Sequence, residues 1–148
     1  MLRNCVGKIK VDGYQIVNIP LYFRAMTPTV SGLPSVGPSK RMLGALPSET
    51  NSPDGTFGPG TGGMSIAPDS PWHIPHHRRP REMGKGSTGP AQDWVFVIQN
   101  NELNSVELTA RLDPRNPVRH AFVEPLVTVS FTAYSSTLAN TQNFWRRL

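Results

Sequence analysis

The density of proline and glycine in the middle of the chain is the feature that most limits how this sequence can fold. Residues 27–91 contain eleven prolines and eleven glycines, about a third of that segment. Proline cannot donate to a helix or sheet ladder, and a fixed glycine loses more backbone entropy than any other residue. Regular structure should therefore be scarce there, and so long an insertion inside a compact domain indicates either function or disorder.

Short apolar stretches on both sides of the insertion predict β-strands. Before it, residues 6–26 predict two strands joined at Asp12-Gly13, with the second strand continuing past Pro20 through residue 26. After it, residues 94–98, 106–112 and 120–124 predict three further strands, with a turn at Asn100-Asn101. Residues 127–129 are a further candidate strand.

One helix is predicted, over residues 131–147. Ser130 is a suitable N-cap, and apolar residues recur on one face from Phe131 onward. Arg146 and Arg147 would then lie in the last turn, where positive charge suits the helix dipole. We therefore expect one α+β domain over residues 1–148, with short and mainly antiparallel strands, a C-terminal helix and the long Gly/Pro-rich insertion at 27–91.

The charge balance favours anionic partners. Fifteen basic and ten acidic residues give a net charge of +5 and a pI near 9.9, which suits nucleic acid, nucleotides, acidic proteins or membrane surfaces. Cys5 is the lone cysteine, so an internal disulfide is excluded. The sequence has neither an apolar signal-peptide core nor an apolar run long enough to span a bilayer. These features predict a protein that works in a cytoplasm.

A glycine-rich stretch over residues 57–65 is the first candidate site. Four glycines in nine residues leave backbone N–H groups open to a close anion or sugar. The stretch lacks the Lys-Ser/Thr of a P-loop and the glycine spacing of a dinucleotide fingerprint. A flexible turn ahead of a strand containing Met64 and Ser65 is the alternative interpretation.

Charged residues supply the other candidates. Arg24 lies among apolar neighbours, so its guanidinium needs either an anionic substrate or an internal partner. Residues 72–81 hold three histidines and three arginines, which predict a loop along phosphates with Trp72 available for stacking, or else a solvated basic loop. Zinc is disfavoured because no cysteine is near and the arginines repel cations, so no metal site is predicted. Glu124 ends an apolar strand and is a candidate substrate contact or an exposed strand end.

Three of these pieces follow one another in a recognisable order. Arg24 on a strand, Ser65 after the glycines and Glu124 before a helix resemble the arginine, serine and glutamate succession of ADP-ribosyltransferase-fold toxins. The likeness is greatest to small interbacterial effectors delivered by type VI or related secretion systems, and it covers about 25 residues. It implies NAD as substrate, with ADP-ribose transferred to a macromolecular acceptor or NAD simply hydrolysed, and action in a target-cell cytoplasm without a signal peptide. For such a toxin, the net charge of +5 favours an acidic immunity protein as partner.

The resemblance also implies roles for individual residues. Arg24 would grip an NAD phosphate or ribose, and Glu124 would orient the ribose hydroxyl and stabilise the oxocarbenium ion. The nicotinamide pocket would be formed by Thr61, Gly62, Gly63, Met64 and Ser65. The basic loop itself adds Trp72 and His77 as residues expected beside the cofactor. The sequence departs from the family twice: only the last serine of the Ser-Thr-Ser motif is kept, and Phe122 replaces a second catalytic acid or amide. The acceptor therefore stays open.

Two other functions explain the same basic loop. A toxin-like ribonuclease would use His73, His76, His77 or His120 as general acid and base, with arginines on the scissile phosphate. A noncatalytic module would instead fold its Gly/Pro-rich insertion onto nucleic acid or a protein. No Ser-His-Asp or Cys-His pattern is evident from sequence spacing alone.

Overall fold

A computed structural model describes residues 7–11 and 15–148, with side chains from residue 19 onward. Strands β1 (Gly7–Val11) and β2 (Gln15–Ile19) pair antiparallel, which confirms the first two strands, while the Asp12-Gly13 turn lies outside the described residues. The prediction that the second strand continues through residue 26 is wrong. Pro20 interrupts it, since proline has no N–H for a ladder, and the following strand joins a different sheet.

A six-stranded sheet forms the centre of the molecule, and its neighbouring strands pair antiparallel. Its strands in chain order are β3 (Leu21–Met26), β4 (Met64–Pro68), β5 (Trp94–Gln99), β6 (Leu108–Leu112), β7 (Ala121–Pro125) and β8 (Arg146–Arg147). In space they lie in the order β6-β7-β4-β3-β5-β8. The predicted α+β class with short antiparallel strands is thus confirmed.

Apolar side chains pack on both faces of this sheet because successive strand residues point to opposite sides. Along β3, Tyr22 and Met26 belong to the larger cluster, which includes the helix residues Tyr134 and Leu138. Phe23 and Ala25 belong to the smaller cluster, together with Ala67, Ile74 and Val95. A sheet with apolar contacts on both faces leaves little room for polar side chains, so those that are buried within it require partners.

The C-terminal helix is shorter than predicted. Helix α2 spans Phe131–Ala139, and the Ser130 hydroxyl accepts the N–H of Ala133 at 3.1 Å, as expected of its N-cap. The helix stops because the Thr141 hydroxyl donates a hydrogen bond to the Leu138 carbonyl. The same hydroxyl accepts a hydrogen bond from the indole N–H of buried Trp145. Arg146 and Arg147 therefore lie in β8 beside β5 and not in a helical turn.

Two smaller predictions also need correction. Asn100-Asn101 begins a short helix, α1 (Asn100–Asn104), in place of a turn, and Glu102 caps its start by accepting the Gln99 N–H at 3.0 Å. Residues 127–129 do not form a strand: Val129 makes an isolated antiparallel bridge with Phe57, and residues 127 and 128 have no regular structure.

The 27–91 insertion has little regular structure, as predicted, yet it packs on both clusters. It contains β4 and three single turns of 3₁₀ helix, at Pro47–Glu49, Pro71–His73 and Arg81–Met83. Leu43 is fully buried in the larger cluster, and Ile74 is buried in the smaller one. The segment is therefore an integral part of the packed structure, and it supplies one wall of the site described next.

Candidate functional site

The sheet opens between β3 and β4. These strands pair only through Tyr22 with Pro68 and Phe23 with Ala67. Beyond that point the Arg24 guanidinium, rather than a backbone N–H, donates to the Ser65 carbonyl at 2.7 Å. A cavity of about 230 Å³ lies at this opening and is lined from both strands and from the insertion.

Positive charge dominates the lining of this cavity. Lys40, Arg78 and Arg119 contribute cationic side chains, and His77 and His120 contribute imidazoles. Glu49 is the one carboxylate among the lining residues in the described part of the chain. Such a balance in a partly enclosed space concentrates anions.

A second cavity of about 460 Å³ adjoins the first, because Pro75, Arg119 and His120 line both. Its other lining residues come mainly from the loop at residues 72–81, which is rich in histidine and arginine, and include His73 and His76. We call the two cavities together the basic groove. The second cavity falls within the roughly 300–1,000 Å³ range of ligand pockets, whereas the first is smaller.

Arg24 lines the first cavity, but its donors are engaged within the protein. Each guanidinium nitrogen donates to a backbone carbonyl, among them those of Ser39, Met42 and Ser65 at 2.7 to 3.1 Å. The residue is 6% exposed, and burial lowers the pKa of its guanidinium to about 10, against the opposing attraction of the Glu49 carboxylate. Arg24 therefore ties the 39–44 loop to β4 and shapes the floor of the cavity.

Glu124 is also held internally, and it is not among the residues that line either cavity. Its carboxylate accepts two hydrogen bonds from Arg111, both at 2.9 Å, and the N–H groups of Gly60 at 3.0 Å and Gly62 at 2.8 Å. Thr109 pairs with Glu124 across the β6–β7 ladder, which places Arg111 on the diagonal of the same face. The predicted anion-binding glycine backbone thus exists, and the anion it holds is the protein's own glutamate.

The rest of the glycine-rich stretch is similarly engaged. The Met64 N–H donates to the Tyr134 hydroxyl at 2.9 Å, and the Thr61 hydroxyl donates to the Gly58 carbonyl at 2.9 Å. A Cβ on Gly63 would collide with the Val123 carbonyl and the Tyr134 hydroxyl, so only glycine fits there. Of the five residues 61–65 predicted to form the pocket, Ser65 is the one that lines the first cavity, and the other four are not among its lining residues.

Ser65 belongs to a chain of three hydrogen-bonded side chains that sequence spacing did not reveal. Its hydroxyl is 3.0 Å from His120 Nε2, and His120 Nδ1 is 2.8 Å from the Asp113 carboxylate. Strand register explains both contacts. Ser65 pairs with Phe122, which places His120 on the same face two residues earlier, and Asp113 faces His120 where the β6–β7 hairpin leaves its ladder.

Trp72 and His77, predicted beside a cofactor, lie in different surroundings. His77 is exposed and lines the first cavity, whereas Trp72 lines neither. The Trp72 ring lies 5.4 Å from the Arg79 guanidinium carbon and 5.3 Å from the Lys85 ammonium, so cations already occupy its surroundings.

Four residues of the site were missed by sequence reasoning: Lys40, Glu49, Asp113 and Arg119. Asp113 was visible only as the end of a strand, and Glu49 lies in the insertion with no flanking motif. Asp113 before Pro114 in a hairpin, with His120 seven residues later, is the pattern that could have suggested the pair.

No protein-family model matches the chain, and neither a curated protein nor a solved structure matches it. Within the described residues, no helix has the length and apolar character needed to cross a membrane. The same part of the chain contains no group of three or more histidine, cysteine or acidic side chains arranged to hold a metal ion.

Proposed function

We propose that this protein is an NAD-consuming enzyme of the ADP-ribosyltransferase type, which transfers ADP-ribose to a macromolecular acceptor or hydrolyses NAD. The observation that carries the proposal is the basic groove, which opens where the serine-bearing strand β4 leaves β3. Arg24, Ser65 and Glu124 lie on β3, β4 and β7, which are neighbours in the sheet, so the order behind the family resemblance is also a spatial one.

The cations of the groove suit a dinucleotide. The NAD diphosphate carries negative charge between two nucleosides, and Arg119 lies where the two cavities meet. The positive charge that binds phosphate then comes from Arg119, Arg78 and Lys40, whereas the family resemblance implied this role for Arg24. Arg24 itself would act by fixing the carbonyls of the cavity floor.

Cleavage of the nicotinamide–ribose bond develops positive charge on the ribose, which a nearby carboxylate stabilises. Glu49 is the carboxylate that lines the cavity, so we assign it this electrostatic role. Glu124 would act indirectly, since it holds Gly60 and Gly62 and thereby positions the segment that leads to Ser65.

The proposal is tested by incubating the purified chain with NAD and measuring free nicotinamide, with and without cell lysate and labelled NAD. We expect nicotinamide release, and labelled macromolecules if the reaction is transfer. Glu49→Gln should reduce the rate on the order of a hundredfold. Arg119→Ala should raise KM for NAD. Arg115→Ala is the control, because it removes a charge from the same loop but outside the groove, and it should leave KM unchanged. No release by the wild type would overturn the proposal.

Toxin action in a target-cell cytoplasm, and neutralisation by an acidic immunity protein, extend the same proposal. The net charge of +5 favours such a partner through electrostatic attraction. Expression in a bacterial cytoplasm should arrest growth in the wild type and not in Glu49→Gln. Normal growth with soluble, NAD-active protein would refute the toxin role.

A ribonuclease is the second candidate, because His77 and His120 line one cavity together with Arg78 and Arg119. Two imidazoles can serve as general base and acid on either side of a phosphodiester held by guanidinium groups. A ribonuclease would degrade RNA without added NAD, and His77→Ala would abolish that activity. The NAD reaction would instead release nicotinamide without added RNA.

A further inference from the structure

The Ser65 hydroxyl has the surroundings of a nucleophile. It lies at hydrogen-bond distance from His120 Nε2, at 3.0 Å, and the other ring nitrogen lies 2.8 Å from Asp113. Phe122 packs edge-on against the imidazole with ring centroids 4.6 Å apart, which restrains the ring from a second side. A hydroxyl in contact with an imidazole, which in turn contacts a carboxylate, is the arrangement by which an activated serine is recognised on unrelated folds.

Asp113 fixes the proton on His120. Its carboxylate accepts the hydrogen bond from the imidazole and a second one from the Arg115 N–H, and these two contacts lower the pKa of Asp113 below its usual value. An ionised carboxylate at Nδ1 requires the N–H on that nitrogen. Nε2 then presents its lone pair to the Ser65 hydroxyl, as a general base must.

The hydroxyl is accessible to an anionic substrate. Ser65 and His120 both line the first cavity, and the His120 side chain is 28% exposed. Lys40, Arg78 and Arg119 line the same cavity, and positive charge there stabilises an oxyanion formed at a carbonyl attacked by Ser65.

We propose that Ser65 is a catalytic nucleophile for acyl transfer and that the protein hydrolyses carboxylic esters that carry a negative charge. Ser65 Oγ attacks the acyl carbon while its proton passes to His120 Nε2. The ester C–O bond breaks, and the leaving alcohol takes that proton. Water then attacks the acyl-serine with His120 as base, which releases the carboxylic acid and restores the hydroxyl. Asp113 is the positioning residue of this reaction, which takes place in the same cavity as the function proposed above but needs no NAD.

A fluorophosphonate probe tests the nucleophile directly, because it forms a covalent bond with an activated serine and releases fluoride. The full chain should be labelled once, at Ser65, as located by peptide mass spectrometry. Ser65→Ala should abolish labelling, and His120→Ala should slow it on the order of a hundredfold or more. Ser105→Ala removes an exposed hydroxyl that donates to the Glu102 carbonyl and should label at the wild-type rate.

The role of Asp113 needs a readout beyond loss of rate. Asp113→Asn should slow labelling strongly, while Asp113→Glu, which keeps the charge, should recover part of the rate at similar thermal stability. Hydrolysis of a para-nitrophenyl ester of succinate should exceed that of the acetate ester, since the cavity is cationic. Absence of labelling in the wild type, or labelling at Ser65 that persists unchanged in a folded His120→Ala variant, would overturn the proposal.

Discussion

Replacing Glu124 by glutamine tests whether this residue is a structural anion. The side chain is 1% exposed, and each of its oxygens accepts one bond from Arg111 and one from a glycine N–H. Glutamine keeps the shape but has one acceptor oxygen, so the variant loses one guanidinium and one backbone hydrogen bond together with the charge.

The cost follows from those contacts. Hydrogen bonds to a charged group contribute about 1.5 to 3 kcal/mol each. The Arg111 side chain is 33% exposed, so solvent screens its part of the loss. We expect Glu124→Gln to lower the free energy of unfolding by about 2 to 4 kcal/mol, which corresponds to a melting temperature about 4 to 16 °C lower for a chain of this size.

Thermal unfolding followed by circular dichroism measures this change. Glu82→Gln is the matched control, because Glu82 is exposed and the chemical change is the same. If Glu124→Gln melts within about 1 °C of Glu82→Gln, the carboxylate does not hold the glycine segment as argued. Activity of Glu124 variants should be measured well below their melting temperatures, so that loss of fold is not taken for loss of chemistry.

Three further outcomes follow from the same contacts. Arg24→Met should destabilise the protein by at least about 3 kcal/mol in urea unfolding, since several buried carbonyls lose their donor; a change below about 1 kcal/mol would contradict the assigned role. Gly63→Ala should cost about 1 to 3 kcal/mol more than Gly55→Ala, because both glycines have positive φ but only Gly63 faces a collision, and equal costs would refute the close approach. The folded-state pKa of Asp113 lies below its unfolded value of 3.8, so its stabilisation is present above that pH and is lost as pH falls through the folded pKa. Urea midpoints should therefore lose less on acidification in Asp113→Asn than in the wild type, and an identical loss would refute the lowered pKa.

Strand alternation and turn residues made much of the fold predictable. β5, β6 and β7 lie close to their predicted ranges, because alternating or continuous apolar runs bounded by turn residues indicate strands locally. The helix boundary at Ala139 was not predictable in this way. It depends on Trp145 entering the core and on Thr141 capping the carbonyl that a longer helix would have used.

The candidate site divides along a similar line. The sequence marked Arg24 and Glu124 as charged residues among apolar neighbours, and Ser65 because it follows the glycines. It marked His77 and His120 as imidazoles that could serve as general acid and base beside arginines. It could not show that Arg24 and Glu124 find those partners within the protein. Those contacts depend on distant segments, since Arg24 meets the 39–44 loop and Glu124 meets Gly60 and Gly62.

The sequence by itself determined the strand-rich class, the irregular insertion and the excess of positive charge, since these follow from local periodicity, proline and glycine content and composition. Only the tertiary structure decided which cations face a common groove and which polar residues meet. Ser65 is far from Asp113 and His120 along the chain, and the antiparallel register places Ser65 opposite Phe122. The same register brings Asp113 and His120 together at the end of the β6–β7 hairpin. Register is set by burial of whole strand faces, which no short motif encodes.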